Sequence, residues 1–271
     1  MNEIDFIYMI KIIMIGLIQG FTEPIPVSSS GHVMIASELL GLGDQGFAFV
    51  ILTNTASLLA VLTIYRRDMI RLTSNSITYV KTKESGYKND FKFVSFLVIA
   101  TLPAGILGLL LNDMIADKSS MTTVAIMLFI TGIALWLIKS MSGTKGEGDI
   151  SIQDSLIVGF GQSLALIPGI SRSGATIITS IAAGMKQETA LKFSFLLYIP
   201  VSLGGVVLGI SEFINEPDKS DLIIPYLLAF VSTLIMTYIA MKWFIGVMKN
   251  GNLYYFSYYC FIVGILLSVF F

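Results

Sequence analysis

Hydrophobic runs dominate the chain, and their lengths set the elements it predicts. Stretches of about 18 or more largely apolar residues, the length a helix needs to cross roughly 30 Å of hydrocarbon, occur near 47–65, 93–111, 122–139, 190–210, 225–245 and 254–271. Six membrane spans are therefore expected. Two other segments break the pattern. Residues 17–41, LIQGFTEPIPVSSSGHVMIASELLG, are apolar at both ends, yet between them stand Gln19, Glu23, three consecutive serines and the sole histidine, His32. Residues 166–176, LIPGISRSGAT, set Arg172 between Ser171 and Ser173 in similar surroundings.

Each interrupted segment reads as a helical hairpin that enters and leaves the membrane by the same side. In the first, a helix from about residue 6 is expected to stop near Glu23, because Pro24 and Pro26 bias the residues before them away from helical geometry. Ser28, Ser29 and Ser30 offer N-caps for a second helix through about Leu40, which Gly41 ends. The second hairpin follows the same plan, with Gly184 as its stop. Backbone freed from a helix at membrane depth is tolerated only where protein buries it or where it lines a wet cavity. Both breaks therefore belong to the interior of the fold.

The two hairpins also mark a repeat. Displacing the sequence by 143 residues superposes Gly16 and Gln19 on Gly159 and Gln162, Ser28, Ser30 and Gly31 on Ser171, Ser173 and Gly174, and Gly41 on Gly184. A slight change of register lays FAFVILTNTASLLAVL (47–62) over FSFLLYIPVSLGGVVL (193–208), and FITGIALWL (129–137) over FIVGILLSV (261–269). The expected fold is an all-α integral membrane protein, a single polytopic domain over 1–271. Its internal repeats run over about 6–139 and about 152–271, each a re-entrant helical hairpin followed by three transmembrane helices. A hairpin crosses nothing and three spans follow it, so the second half starts on the opposite face from the first. The repeats are thus inverted, a plan common in transport proteins.

Basic residues orient this arrangement. Arg66, Arg67, Arg71, Lys81, Lys83, Lys88, Lys92, Lys139, Lys145, Lys186, Lys192, Lys242 and Lys249 fall on one expected side. The other has Lys118 and Lys219 beside Asp113, Asp117, Glu212, Glu216, Asp218 and Asp221. By the positive-inside rule the first group is cytoplasmic, which places the first hairpin's entry and both termini outside.

Composition agrees. The chain is 55% hydrophobic and 13% charged, with mean hydropathy +0.81 and net charge −1. This excludes an ordinary soluble domain, and no nucleic-acid partner is expected. No cleavable leader is expected, since the amino terminus opens on Glu3 and Asp5. A lone Cys260 excludes an intrachain disulfide and a cysteine metal site. Aromatics and methionines of the spans read as lipid-facing or packing residues.

Ionisable groups at membrane depth cost at least about 2.5 to 3.5 kcal/mol each on insertion scales and default to function. A staple between Glu23 and Arg172 would account for that pair, but not for the polar groups around it. Each break delivers a helix start, with unpaired N–H groups and the positive dipole end, to the middle of the fold, where it suits an anion. Arg172 adds a planar fork for phosphate oxygens, and Ser171, Ser173 and Gly174 lie at the same helix start. Opposite stand Glu23, Gln19 one turn earlier, Ser28 and Ser30, Ser29 as a candidate nucleophile and His32 as acid or base, with Gln162 as the repeat's counterpart of Gln19. Glu23 beside phosphate implies either a divalent cation bridging the two or a carboxyl that carries protons.

These residues resemble the undecaprenyl pyrophosphate phosphatase family, the membrane enzymes that confer bacitracin resistance. The motifs are QGFTEPIPVSSSGH (19–32) and PGISRSGAT (168–176), supported by FSFLLYIPVSLGG (193–205), and the segment order matches over essentially the whole chain. The resemblance implies a site open toward the outer face of the cell membrane. It also implies hydrolysis of a polyprenyl diphosphate lipid to the monophosphate, which recycles the carrier for envelope synthesis. It assigns catalysis to Glu23, Ser29, His32 and Arg172, with either Ser29 or His32 as nucleophile, and Mg²⁺ or Ca²⁺ as a cation that Glu23 could hold. Gln19 departs from the glutamate of many members, Val50 stands where some relatives carry an acid, and Asn54 replaces a glutamine. A lipid-carrier flippase or transporter is the rival reading, because inverted repeats support alternating access in other proteins. Oligomers are compatible with the sequence.

Cysteines placed at Ser85 and Asp117 in a Cys260→Ala background are expected to react with an impermeant thiol reagent from opposite faces of the membrane. Labelling from one side would refute the inversion.

Overall fold

The computed structural model describes residues 6–43, 46–116, 120–141, 143–215, 219–249 and 251–270. Its helices are α1 (Phe6–Thr22), α2 (Ser29–Leu39), α3 (Gly46–Thr82), α4 (Lys88–Ala116), α5 (Met121–Ile138), α6 (Ile152–Leu164), α7 (Arg172–Ala182), α8 (Gln187–Asn215), α9 (Lys219–Lys249) and α10 (Tyr254–Phe270). Five of them, α3, α4, α5, α8 and α9, are long and apolar enough to cross a membrane, and the protein is a multi-pass membrane protein. The sixth expected span is α10, which is apolar but only 17 residues long and so covers about 25 Å at 1.5 Å per residue. Of the sparsely basic side, Asp117, Lys118, Glu216 and Asp218 lie outside the described residues, as do the side chains of Asp113, Glu212, Lys219 and Asp221.

Both interrupted segments form the expected helix–break–helix. The first helix ends at Thr22, just before Glu23 and Pro24, and the chain turns through bonds from Ile25 N to Thr22 O (3.2 Å) and from Val27 N to Ile25 O (2.8 Å). Ser28 caps α2, its Oγ accepting from Gly31 N at 3.3 Å, and Ser171 caps α7 by accepting from Gly174 N at 3.0 Å. The caps differ in backbone. Ser28 sits at φ 68°, a left-handed conformation that a non-glycine residue adopts at a cost, whereas Ser171 has φ −70°. Gly41 and Gly184 end the hairpins with φ +63° and +90°, which glycine reaches freely.

Exchange of the two halves carries one set of helix contacts onto another. The pair α1–α9 corresponds to α6–α4, α3–α9 to α8–α4, and α1–α2 to α6–α7, while α3 packs on α8 and α5 on α10. Close packing at these seams needs small residues, because lipid offers no hydrophobic drive between helices. A Cβ on Gly16 would lie 2.8 Å from Ala229 O, and one on Gly159 would lie 2.7 Å from Ala100 O. Short polar side chains bridge the same seams, with Thr233 Oγ1 donating to Gly16 O (2.9 Å) and Ser57 Oγ bonded to Thr237 Oγ1 (3.0 Å). Outward positions are aliphatic: Ile126, Ile130, Ile133 and Leu137 form an exposed stripe on α5, and Ile262, Ile265, Leu266 and Val269 one on α10. Polar groups inside and hydrocarbon outside is the membrane-protein pattern.

One end of the bundle carries a network of charges. Lys192 pairs with Asp68 and with Glu147 (2.7 Å), and Arg71 reaches Glu147 at 2.8 Å and Asp90 at 3.7 Å. Burial would push the Glu147 carboxyl up, but the hydrogen bonds and charges of Lys192 and Arg71 outweigh it and hold that carboxyl below its ordinary range. The segment before α6 joins this end, since Lys145 and Met185 bridge and Lys145 Nζ donates to Asp154 at 2.7 Å. Arg71, Lys145, Lys186 and Lys192 are thereby gathered together.

Candidate active site

Both hairpin breaks meet in the interior. Ser173 Oγ, at the start of α7, donates to Ile25 O in the first break at 2.9 Å. Gly174 makes the approach possible, because a Cβ there would lie 3.3 Å from Pro26 Cβ and 3.0 Å from Ser171 Cβ. Two helix starts thus converge on one place, one from each half.

Glu23 is the hub of that place. Arg172 donates to its Oε1, and the Ser29 hydroxyl donates to its Oε2. Gln19 Nε2 also donates to Oε2 at 2.9 Å, and to Asn54 Oδ1 at 3.0 Å. The Glu23 side chain is 9% exposed and that of Arg172 25%, a burial at which a lone charge would be costly and a hydrogen-bonded pair is tolerated. Beneath the guanidinium lies the Tyr198 ring, with Arg172 Cζ 4.1 Å from its centroid, and Tyr198 Oη donates to Asn54 O at 3.0 Å. One Arg172 nitrogen holds Glu23, and its planar fork carries further donors for a ligand oxygen.

The remaining expected residues fall in three groups. Ser28, Ser30, Ser171 and Ser173 stand at the helix starts, with Ser171 Oγ and Ser173 Oγ 3.2 Å apart and Ser28 Oγ and Ser30 Oγ 3.5 Å apart. Gln162 is buried beside the hub without bonding to it, lining a small cavity together with Glu23, Arg172, Ser194 and Tyr198. Neither amide atom of Gln162, nor Ser194 Oγ, has a protein partner among the described residues. Buried amides are satisfied by protein or water, so this cavity suits water or a polar ligand atom. His32 does not bond to Glu23, Ser29 or Arg172: Nδ1 lies 2.8 Å from Ser28 O and Nε2 2.7 Å from Tyr259 Oη on α10.

Two residues of this site were not legible as such. Tyr198 and Tyr259 belong to spans whose aromatics read as packing or lipid-facing, and the structure adds to that packing a polar contact at each. Tyr198 lies inside FSFLLYIPVSLGG, where motif membership was a signal. Tyr259 had none, because nothing in a run of tyrosines and apolar residues ties it to a histidine 227 positions away.

Among the described residues, no group of three or more His, Cys, Asp or Glu side chains is placed to hold a metal ion. Glu23 is the sole carboxylate in the hub, and both of its oxygens are engaged.

Known proteins resemble this chain along nearly all of its length. A family model described as bacitracin resistance protein BacA matches residues 12–266. A Bacillus cereus protein named undecaprenyl-diphosphatase 1 is 54% identical over 267 residues, covering 98% of this chain and 99% of its own. The protein of that name from Bacillus licheniformis is 51% identical over 98% of this chain and 99% of its own, and the undecaprenyl-diphosphatase of Oceanobacillus iheyensis is 50% identical over 98% of each.

Removing one member of a buried ion pair strands the other. Arg172→Met is expected to destabilise the protein by about 3 kcal/mol, and adding Glu23→Gln should recover most of that loss, since a neutral amide still bonds to Ser29 and Gln19. Thermal unfolding in detergent followed by circular dichroism measures both. Equal losses in the single and double variants would show that Arg172 does not compensate the Glu23 charge.

Proposed function

The chain belongs to the bacitracin resistance protein BacA family, and we propose that it is a polyprenyl-diphosphate phosphatase of the undecaprenyl type. It hydrolyses the lipid diphosphate to lipid monophosphate and inorganic phosphate, which returns the carrier to cell-envelope synthesis. The observation that carries this reading is the Ser29 hydroxyl donating to Glu23, a carboxylate that is itself paired with Arg172. A hydroxyl is a weak nucleophile until a base takes its proton. Here the base is already hydrogen-bonded to it, and a cation for phosphoryl oxygens stands on the base's other side.

The diphosphate lies between the starts of α2 and α7. Arg172 and the backbone N–H groups of the two helix starts stabilise charge on the terminal phosphoryl group, where phosphoryl transfer gains most of its acceleration. Ser29 Oγ attacks the terminal phosphorus as Glu23 accepts its proton, and the bond to the bridging oxygen breaks to release lipid monophosphate. Water then attacks the phosphoserine phosphorus as His32 accepts one of its protons, the bond from phosphorus to Ser29 Oγ breaks, and Glu23 returns its proton to Ser29 Oγ, leaving inorganic phosphate. Ser29 is favoured over His32 as nucleophile because Ser29 has its base in contact, while both nitrogens of His32 are occupied elsewhere. Gln162 and Ser194 offer unpartnered polar atoms for a water or phosphate oxygen beside the hub.

The prenyl chain extends into lipid, and the site opens toward the outer face of the cell membrane. Support comes from the basic residues gathered at one end of the bundle, which by the positive-inside rule is cytoplasmic. A second reading, a transporter of the lipid carrier, draws on the polar cleft at that same end, lined by Tyr65, Asp68, Lys186, Glu188, Lys192 and Lys249. Purified protein in detergent is expected to release inorganic phosphate from undecaprenyl diphosphate. Arg172→Lys, which keeps charge but loses the fork, should release it at least about tenfold more slowly. Tight binding without turnover by the parent would favour the transporter, and wild-type rates in Arg172→Lys would leave Arg172 a staple.

A divalent cation fits these residues in one way only. Mg²⁺ is bound through one or two carboxylates plus substrate phosphates, so a cation arriving with the diphosphate would find Glu23 as its single protein carboxylate. Such an ion would supply charge neutralisation on the phosphate oxygens. Gln19→Glu places a second carboxyl one turn from the first, and the repulsion between them favours a bridging cation. The variant is therefore expected to stay active while requiring Mg²⁺ or Ca²⁺ more strictly than the parent. Superimposable metal titrations of phosphate release in the two proteins would mean that no cation sits beside Glu23.

A further inference from the structure

His32 is held at both nitrogens, and the two contacts together fix which one carries the proton. Nδ1 lies 2.8 Å from Ser28 O, a carbonyl that can only accept, so Nδ1 is the protonated nitrogen of the neutral ring. Nε2 then presents a lone pair, and the group 2.7 Å from it is Tyr259 Oη, a hydroxyl able to donate. The rings lie nearly parallel, 16° apart with centroids separated by 5.5 Å, so Tyr259 both packs on the imidazole and reaches its basic nitrogen.

This contact comes from the helix most distant in sequence, and α10 is held tightly enough to deliver it. Ser257 Oγ donates to Gly132 O on α5 at 2.7 Å, and buried Cys260 lies with Sγ 3.8 Å from Pro26 O in the first break. A Cβ on Gly132 would sit 2.8 Å from Phe261, which leaves α10 little freedom to slide along α5. Tyr259 thus lies between a residue anchored to α5 and one in contact with the first break.

We propose that Tyr259 is a positioning residue for the reaction: in the resting site its hydroxyl holds His32 with Nε2 unprotonated and oriented, and the attacking water displaces that contact when it gives Nε2 its proton. The proposal rests on the phosphatase reading, in which His32 handles protons while Glu23 serves Ser29. It assigns α10 a part in the chemistry that the two motifs do not contain. A ring whose second torsion is broad is fixed only when both nitrogens have partners. With the hydroxyl gone, one anchor remains, at Ser28 O.

The single histidine makes the test direct. Protein labelled with ¹⁵N-histidine, in detergent, should show His32 with a proton on Nδ1 and a bare, hydrogen-bonded Nε2. In Tyr259→Phe, which keeps the stacked ring, the Nε2 resonance should move away from its hydrogen-bonded position. In the same variant, kcat for phosphate release should fall about tenfold, part of the roughly 10²–10⁴ that a placed acid or base contributes, with KM changed less than twofold. Tyr258→Phe is the control, because Tyr258 packs on Trp136 and Tyr254, and it should leave both readouts unchanged. A proton on Nε2 in the parent, or an unmoved Nε2 resonance or wild-type kcat in Tyr259→Phe, would overturn the proposal. A parent that releases no phosphate would instead refute the phosphatase reading, while the Nε2 signal still reports whether the contact exists.

Discussion

A buried carboxylate and a buried guanidinium, one from each half of the chain, are the constraint around which the interior is arranged. Neither Glu23 nor Arg172 is tolerable alone at this depth, and together they are acceptable only when their other hydrogen-bonding sites are filled. Gln19 and Ser29 fill those of Glu23, and the Tyr198 ring covers the guanidinium. The pair therefore dictates its own surroundings: two helix breaks at the same depth, small residues where they approach, and polar side chains on every element that lines them.

The contacts that make the pair tolerable are also the ones that the proposed reaction would use. A carboxylate held by arginine and hydrogen-bonded to a hydroxyl is a stable arrangement, and in that reaction it would also be the base beside the nucleophile. The seams away from the site show the contrasting case: the bond from Thr233 to Gly16 and the Ser57–Thr237 contact satisfy polar groups between helices and carry no charge.

The two hairpins share a plan and divide the chemistry. At positions equivalent by the repeat, Glu23 corresponds to Leu166, Ser29 to Arg172 and His32 to Ala175, while the capping serines and the glycine after them are kept in both. Residues that form the break and cap the second helix persist because both halves need that backbone. The residues that differ bring unlike partners together, a carboxylate and a hydroxyl from one hairpin and a guanidinium from the other. Even the caps have diverged, with Ser28 in a left-handed conformation that Ser171 does not adopt.

Much of this was legible along the chain. Length and continuity of apolar runs showed where the membrane-crossing helices lie, since a span must satisfy its own backbone in hydrocarbon, although α3 continues past its apolar run through a polar stretch to Thr82; Pro24, Pro26, Gly41 and Gly184 fixed where the first hairpin breaks and where both end through backbone geometry alone. Glu23, Ser29, Arg172 and Gln19 were legible because polar side chains are costly in a membrane and so announce a site. What the sequence could not convey was direction and distant pairing. His32 follows the serine triplet by two residues, yet its ring bonds to Tyr259 and not to Ser29; Gln162 repeats Gln19, yet finds no partner among the described residues; and Tyr198 underlies Arg172 from another helix. These outcomes depend on which helix faces lie opposite once α3, α8 and α10 are packed. That is decided by interhelical fit at glycine and serine seams, a property of three-dimensional contact that no local spacing of residues contains.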